Sequence, residues 1–126
     1  MTRRRLDRGS DFRIEVRERD PRTAVVSIHG DLDLCSSFSV MERLSSVDAG
    51  TTLLVLDLSQ LRFVDSAGVG VLLTVARRWM LGPGELRVVA RPGRIRSVLT
   101  VAGLDRVVGV YPTLTDALSG PDGAPS

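Results

Sequence analysis

The chain has 126 residues, 43% of them hydrophobic, and a net charge of +2, a combination that fits one globular domain and excludes a disordered chain. A single cysteine, Cys35, excludes an internal disulfide and fits a reducing compartment. All 17 basic residues are arginine, which excludes any chemistry that needs a lysine, such as a P-loop or a Schiff base.

The first eleven residues are polar and rich in arginine: Arg3, Arg4, Arg5 and Arg8. No apolar run follows them, so we do not expect them to be a secretory signal. We expect a flexible basic segment over 1–11 with no direct nucleic-acid partner, because little aromatic stacking surface accompanies the charge. The longest apolar-biased stretch, 69–81, is interrupted by polar residues and is too short to cross a membrane. We therefore expect a soluble, cytoplasmic protein without a membrane partner.

The start of the domain predicts a β-hairpin. Residues 12–17 alternate between apolar and charged side chains, a period of two that is typical of a half-buried strand. Asp-Pro-Arg at 20–22 predicts a turn. Residues 24–28 then form the second strand, which we expect to end at Gly30.

A helix and a central strand are expected next. Ser36 or Ser37 can cap a helix that runs to about Val47, where Asp-Ala-Gly stops it. The predicted core face of this helix carries Phe38, Met41 and Leu44. The run 53–56 is apolar throughout, as expected of a strand that is covered on both faces.

A short connection and a second helix follow. Leu58, Leu61 and Phe63 are interpreted as an apolar connection. The helix is expected to start at Asp65 or Ser66 and to end near Leu81, before Gly-Pro-Gly. Its predicted core-facing stripe consists of Val69, Leu72, Leu73, Ala76 and Met80.

The remaining elements complete an α/β domain. They are a strand at 86–90, a helix at 93–102 followed by Gly103, a strand at 107–111, a helix at 113–118, and a disordered tail at 120–126. This alternation predicts one domain over 12–119, with about four helices and a mainly parallel sheet opened by the antiparallel hairpin.

The stretch 56–70, Leu-Asp-Leu-Ser-Gln-Leu-Arg-Phe-Val-Asp-Ser-Ala-Gly-Val-Gly, carries the most information about function. It leads from a buried strand into a helix whose first amides can bond to Asp65 or Ser66. Gly68 and Gly70 are poor interior helix residues, each costing about 1 kcal/mol against alanine. Such glycines make sense where another backbone or a partner surface comes close. On spacing alone, the Asp65–Ser66 pair is more readily a helix N-cap than a modification site, and we expect Asp65 to be the structural, capping residue.

The run from Asp57 to Gly68, Asp-Leu-Ser-x-Leu-x-Phe-x-Asp-Ser-x-Gly, resembles the STAS family, most closely its bacterial anti-sigma factor antagonists. Upstream, Gly-Asp-Leu-Asp at 30–33 is similar to the Gly-Glu-Leu-Asp turn that precedes the first helix of the family. Ser36 falls where those proteins usually carry a threonine or serine cap. The resemblance covers about 12–118 and implies the STAS fold.

The resemblance implies a non-enzymatic phosphorylation switch at Ser66. An anti-sigma factor serine kinase would modify Ser66 and a phosphatase would restore it. The unmodified form would bind the anti-sigma factor and free the sigma factor for transcription, with no cofactor, metal or catalytic residue. The implied partner surface consists of Asp33, Ser36, Asp65, Ser66, Ala67, Gly68 and Val69. From spacing alone, Asp33 is equally well a turn residue that bonds local amides.

Other functions are less well supported. A hydrolase with Ser66 as nucleophile and His29 as base is disfavoured, because Val64 occupies the position where a nucleophile elbow has glycine. One histidine and one cysteine, six residues apart, match no zinc spacing. The alternatives left open are a STAS docking module of another assembly, such as a lipid-transport complex or a stress-signalling scaffold, and nucleotide binding near Asp33 and Ser66.

Overall fold

The computed structural model describes residues 12–47 and 49–120, which form a six-stranded sheet and four α-helices. In chain order the elements are β1 (Arg13–Asp20), β2 (Thr23–Leu32), α1 (Leu34–Ser45), β3 (Leu53–Asp57), β4 (Leu61–Val64), α2 (Ser66–Met80), β5 (Glu85–Val89), α3 (Arg94–Val101), β6 (Gly109–Tyr111) and α4 (Leu114–Ser119). The predicted flexible segment 1–11 and the predicted tail beyond Gly120 lie outside the described residues.

The sheet is mixed and mainly parallel. Its strands lie in the order β1-β2-β3-β5-β6, and β4 pairs with the end of β2 off this path. β1 is antiparallel to β2, whereas β2–β3, β3–β5 and β5–β6 are parallel pairs. In the turn between β1 and β2, the amide of Arg22 donates to Oδ1 of Asp20 (2.8 Å) and lowers the pKa of that carboxyl. The predicted parallel sheet opened by a hairpin is confirmed.

Residues 61–64 form a strand where the sequence predicts a connection, and that prediction is wrong. β4 runs parallel to the last residues of β2, with Gly30 opposite Leu61 and Leu32 opposite Val64. β2 continues past its predicted end because Gly30, at φ 89°, bends the strand without terminating it. Four residues, of which Leu61 and Val64 are buried, are too few to show the alternation of a strand.

Two hydrophobic clusters sandwich the sheet. Helices α1, α2 and α3 contribute to the larger cluster on one face, and α4 packs on the other. The fully buried side chains of the larger cluster include Ile28, Leu32, Leu54, Leu56, Leu72 and Leu99. The second cluster consists of Val25, Val55, Val89, Tyr111 and Ala117. Burial on both faces explains the continuous apolar run of β3, as predicted from its sequence.

Two residues that the sequence places in the core are exposed. Phe38 on α1 is 69% exposed and Met80 on α2 is 62% exposed, so both predictions are wrong. Leu44 on α1 and Leu72 on α2 are buried, as predicted, and Val40, which lies outside the predicted stripe, is buried on α1 as well. Helical spacing identifies a broad apolar stripe, but it does not reveal which edge of that stripe meets the sheet.

Other differences concern the ends of elements. α1 ends at Ser45 rather than near Val47. β6 begins at Gly109 rather than Val107, because a turn of 3-10 helix over Leu104–Arg106 precedes it. These shifts do not change the order of the elements, since helix and strand ends depend on local hydrogen bonds that sequence patterns define poorly.

Gly68 is the point at which α2 comes closest to β2. A Cβ atom at this position would overlap the carbonyl oxygen of Leu32 and would lie 2.8 Å from Leu32 Cγ and from Val64 Cγ2. At Gly70, by contrast, a Cβ atom would meet no atom within 4 Å. The close approach expected at both glycines therefore occurs within the fold only at Gly68.

These two glycines give a matched pair for testing the helix–strand contact. Gly68→Ala should lower the free energy of unfolding by about 1–3 kcal/mol, because α2 must move away from β2 to admit the methyl group. Gly70→Ala should raise it by about 1 kcal/mol, because the site is open and alanine is the better helix former. Urea unfolding of both variants measures the difference. Equal effects would contradict the close contact.

Candidate functional site

The candidate site lies where β2 and β4 end and two helices begin. Asp33 follows β2 and precedes α1, and Asp65 follows β4 and precedes α2. Because Leu32 lies opposite Val64 in parallel register, the two aspartates leave the sheet side by side. The site therefore combines the amino termini of two helices with two carboxylates.

The carboxylate of Asp65 is shared by both helices. Its Oδ1 accepts a hydrogen bond from the amide of Gly68 (2.9 Å), which caps α2. Its Oδ2 accepts from the amide of Leu34, the first residue of α1 (3.3 Å). The amide of Asp65 donates in turn to the carbonyl oxygen of Leu32 (3.1 Å). One side chain thus satisfies first-turn amides of two helices and joins their ends.

Asp33 is the cap of α1, so the prediction that Ser36 or Ser37 caps this helix is wrong. Oδ1 of Asp33 accepts from the amides of Cys35 (3.0 Å) and Ser36 (3.1 Å), and the amide of Asp33 donates to Ser36 Oγ (3.0 Å). This reciprocal pair is a capping box. An aspartate followed three residues later by a serine is the sequence signal that would have located it.

Ser36 is buried and fully engaged. It is 7% exposed, and its hydroxyl donates to the carbonyl oxygen of Asp31 (2.8 Å). Gly68 is also buried beneath Leu32, and Val69 packs against the core. These three residues support the site from within the fold.

Ser66 is exposed at the first position of α2. Within the described part of the chain, its hydroxyl makes no hydrogen bond, since Asp65 supplies the capping oxygen. Within the Asp65–Ser66 pair, Asp65 is the N-cap, as predicted, and Ser66 is not. Ala67, next to it, is half-buried and carries no hydroxyl. The site presents one free hydroxyl at a helix start beside two carboxylates.

His29 does not serve this hydroxyl. Its Nδ1 lies 3.3 Å from Nη2 of Arg13, and its Nε2 lies 3.6 Å from Oε1 of Glu15, both on β1. Among residues 12–47 and 49–120, no group of three histidine, cysteine or acidic residues could hold a metal ion. Nor does this part of the chain contain a helix that is long and apolar enough to cross a membrane.

Comparison with known proteins shows which family the chain resembles. The family model described as "STAS domain" matches residues 13–117. The anti-sigma-F factor antagonist RsfB of Mycobacterium tuberculosis is 35% identical over 99 residues, which make up 77% of this chain and 80% of RsfB. The crystal structure of an anti-sigma factor antagonist from Mycobacterium paratuberculosis matches with a TM-score of 0.79 at 30% identity, covering 90% of this chain and 97% of that one.

The anti-sigma factor antagonist SpoIIAA of Bacillus has the same fold. Its unphosphorylated form matches with a TM-score of 0.70 and its phosphorylated form with 0.66. Both are 21% identical to this chain and cover 84% of it, with 93% and 96% of their own lengths aligned. At this identity the likeness concerns the fold alone.

The shared carboxylate gives a prediction about stability. Asp65→Ala should lower the free energy of unfolding by about 2 kcal/mol, because α2 loses its cap and the Leu34 amide loses its acceptor. Asp105→Ala is the control: this aspartate is exposed on the 3-10 turn, and its loss should change stability by less than about 0.5 kcal/mol. Urea unfolding at neutral pH compares the two. Similar values for both variants would show that Asp65 does not join the helices in solution.

Proposed function

The chain belongs to the STAS domain family and, within it, to the anti-sigma factor antagonists, which are non-enzymatic regulators, and from this membership we propose that Ser66 is the phosphorylated residue of a partner switch. In its unmodified form the protein binds an anti-sigma factor kinase and leaves the sigma factor free for transcription. Phosphorylation of Ser66 releases the kinase, and a phosphatase restores the binding form. The switch operates in the cytoplasm and requires no cofactor.

The observation that carries this proposal is the free, exposed hydroxyl of Ser66 at the start of α2. A kinase needs an accessible acceptor, and Asp65 leaves Ser66 accessible by taking over the capping. A phosphate at this position would face the positive end of the helix dipole and first-turn amides, both of which favour negative charge. The fold can therefore accept the modification without unfolding.

The phosphate is proposed to weaken the binding of the partner rather than the fold. Phosphorylation adds about −1.5 to −2 charges and three acceptor oxygens. Asp33 and Asp65 already place two carboxylates at this surface, so the added charge makes it strongly acidic. A partner that covers Ser66 with an acidic or apolar surface would be repelled or would have to desolvate the phosphate. SpoIIAA, of the same fold, is known in both unphosphorylated and phosphorylated forms, which supports a switch that leaves the fold intact.

The residues expected at the partner surface divide into two groups by burial. Ser66 and Ala67 reach the surface and Asp33 is half-buried, so these three are proposed to contact the partner. Ser36, Gly68, Val69 and the carboxylate of Asp65 are proposed to act by positioning, since their contacts lie within the fold.

Replacing the hydroxyl tests the switch. Tagged wild type, Ser66→Ala and Ser66→Asp are used to capture partners from a lysate of the source organism, and the recovered kinase is then purified. We expect Ser66→Ala to bind like wild type but to resist phosphorylation by the kinase and ATP, measured by mass spectrometry. Ser66→Asp should bind about tenfold more weakly or worse. Its melting temperature should stay within about 2 °C of wild type.

The control is Ser97→Asp, which adds the same charge to an exposed position on α3 and should not change binding. Two outcomes would contradict the proposal: phosphorylation at another residue while Ser66 stays unmodified, or equal binding by wild type and Ser66→Asp. Recovery of the same transport or scaffold proteins by all variants would favour the docking-module alternative.

A further inference from the structure

An exposed apolar ridge borders the candidate site on α1. Leu34 is 75% exposed and Phe38 is 69% exposed, although both are large and hydrophobic. They lie four residues apart and therefore on the same side of the helix, one turn from each other. The buried side of α1, formed by Val40 and Leu44, points to the sheet, so the fold makes little use of the ridge.

The ridge is hydrogen-bonded to the residue that precedes Ser66. The amide of Leu34 donates to Oδ2 of Asp65, the residue directly before Ser66 (3.3 Å). Met41, one turn beyond Phe38 on the same side of α1, lies 3.9 Å from the guanidinium of Arg78 on α2, measured from Sδ to Nη1. The flank of α1 that carries the ridge therefore faces α2 rather than the opposite edge of the domain.

Gly70 lies next to Ser66 on the exposed surface of α2. It follows Ser66 by four residues and is exposed, so it occupies the same side of the helix one turn further on. Its backbone is helical and a Cβ atom there would meet nothing within 4 Å, so neither conformation nor packing within the domain requires glycine. Glycine in a helix interior destabilises it relative to alanine. A glycine that the fold does not need leaves room for another molecule.

Of the other large exposed apolar side chains in the described part of the chain, Val16 and Phe63 lie on β1 and β4, and the rest lie at the far ends of the helices. Met80 and Leu81 are at the carboxyl end of α2, and Val101 is at the carboxyl end of α3. Ser66 and Leu34, by contrast, are the first residues of α2 and α1. Apolar exposure at the amino end of α1 thus lies beside the free hydroxyl at the amino end of α2. Paired exposed apolar groups of this kind commonly mark an interaction site.

We infer that the ridge of Leu34 and Phe38, together with the exposed backbone at Gly70, is the docking surface for an apolar face of the anti-sigma factor. This inference rests on the proposed function and specifies the chemistry of its partner. The surface is continuous with Ser66 through the Leu34–Asp65 hydrogen bond. Apolar side chains of the anti-sigma factor pack on the ridge, and its backbone or a small side chain approaches Gly70. Phosphorylation then releases the partner chiefly because an apolar cover cannot solvate the phosphate.

The test measures the affinity of the purified anti-sigma factor, identified by capture with the wild-type chain, for single variants by isothermal titration calorimetry. We expect Phe38→Ser and Leu34→Ser each to weaken binding about tenfold. Leu81→Ser, which removes an equally exposed apolar side chain far from Ser66, should stay within about twofold.

Gly70→Ala separates binding from folding. It should raise the melting temperature by about 4 °C and yet weaken binding about tenfold, a combination that misfolding cannot produce. If Phe38→Ser, Leu34→Ser and Gly70→Ala all bind like wild type while Ser66→Asp does not, the inference is wrong and the proposed switch stands. If Ser66→Asp binds like wild type while the ridge variants do not, the docking surface stands and the switch falls. Failure of the wild type to bind any anti-sigma factor overturns both.

Discussion

The shared carboxylate of Asp65 connects the two helices on which the proposed site depends. Its two oxygens accept from amides at the starts of α1 and α2, and its own amide bonds to the end of β2. Four first-turn amides at each helix start lack partners within the helix, so an acceptor there has a large local effect. By accepting from one amide at each helix start, Asp65 links the two helices, and it leaves the neighbouring hydroxyl of Ser66 without a capping role.

The parallel pairing of β2 with β4 makes this arrangement possible. Because Leu32 and Val64 lie opposite each other in the parallel register, Asp33 and Asp65 leave the sheet side by side. Gly68, which has no side chain, lets α2 pack closely against β2. The residues that hold the helix starts are therefore different from the exposed residue that is proposed to be modified. The half-buried Asp33 and Asp65 and the buried Ser36 hold the helix starts, while Ser66 is exposed and makes no contact that supports them. For the proposed switch such a separation is useful, because it would let affinity change while stability stays constant.

Much of the fold follows from the sequence, because its signals are local or strongly periodic. The hairpin alternation around residue 14, the continuous apolar run of β3 and the Gly-Pro-Gly stop after α2 all predict elements that the structure contains. The motif ending at Gly68 led to the correct family for the same reason, because its residues lie at fixed spacing within one short stretch of the sequence. The start of α2 at the Asp65–Ser66 pair was likewise readable, since both residue types favour helix starts.

The sequence by itself determined the order of the elements other than β4, the family and the identity of the candidate hydroxyl. Only the tertiary structure decided that Asp33 rather than Ser36 or Ser37 caps α1, and that Asp65 also accepts from the first amide of α1, because that contact depends on where the neighbouring helix lies. The structure also revealed β4, whose four residues become a strand only by pairing with β2. It also showed that a neighbouring strand packs closely against Gly68 but that no described residue packs against Gly70, and that Phe38 lies outside the core. Close approach and exposure depend on where another element lies in space, which the sequence pattern does not state.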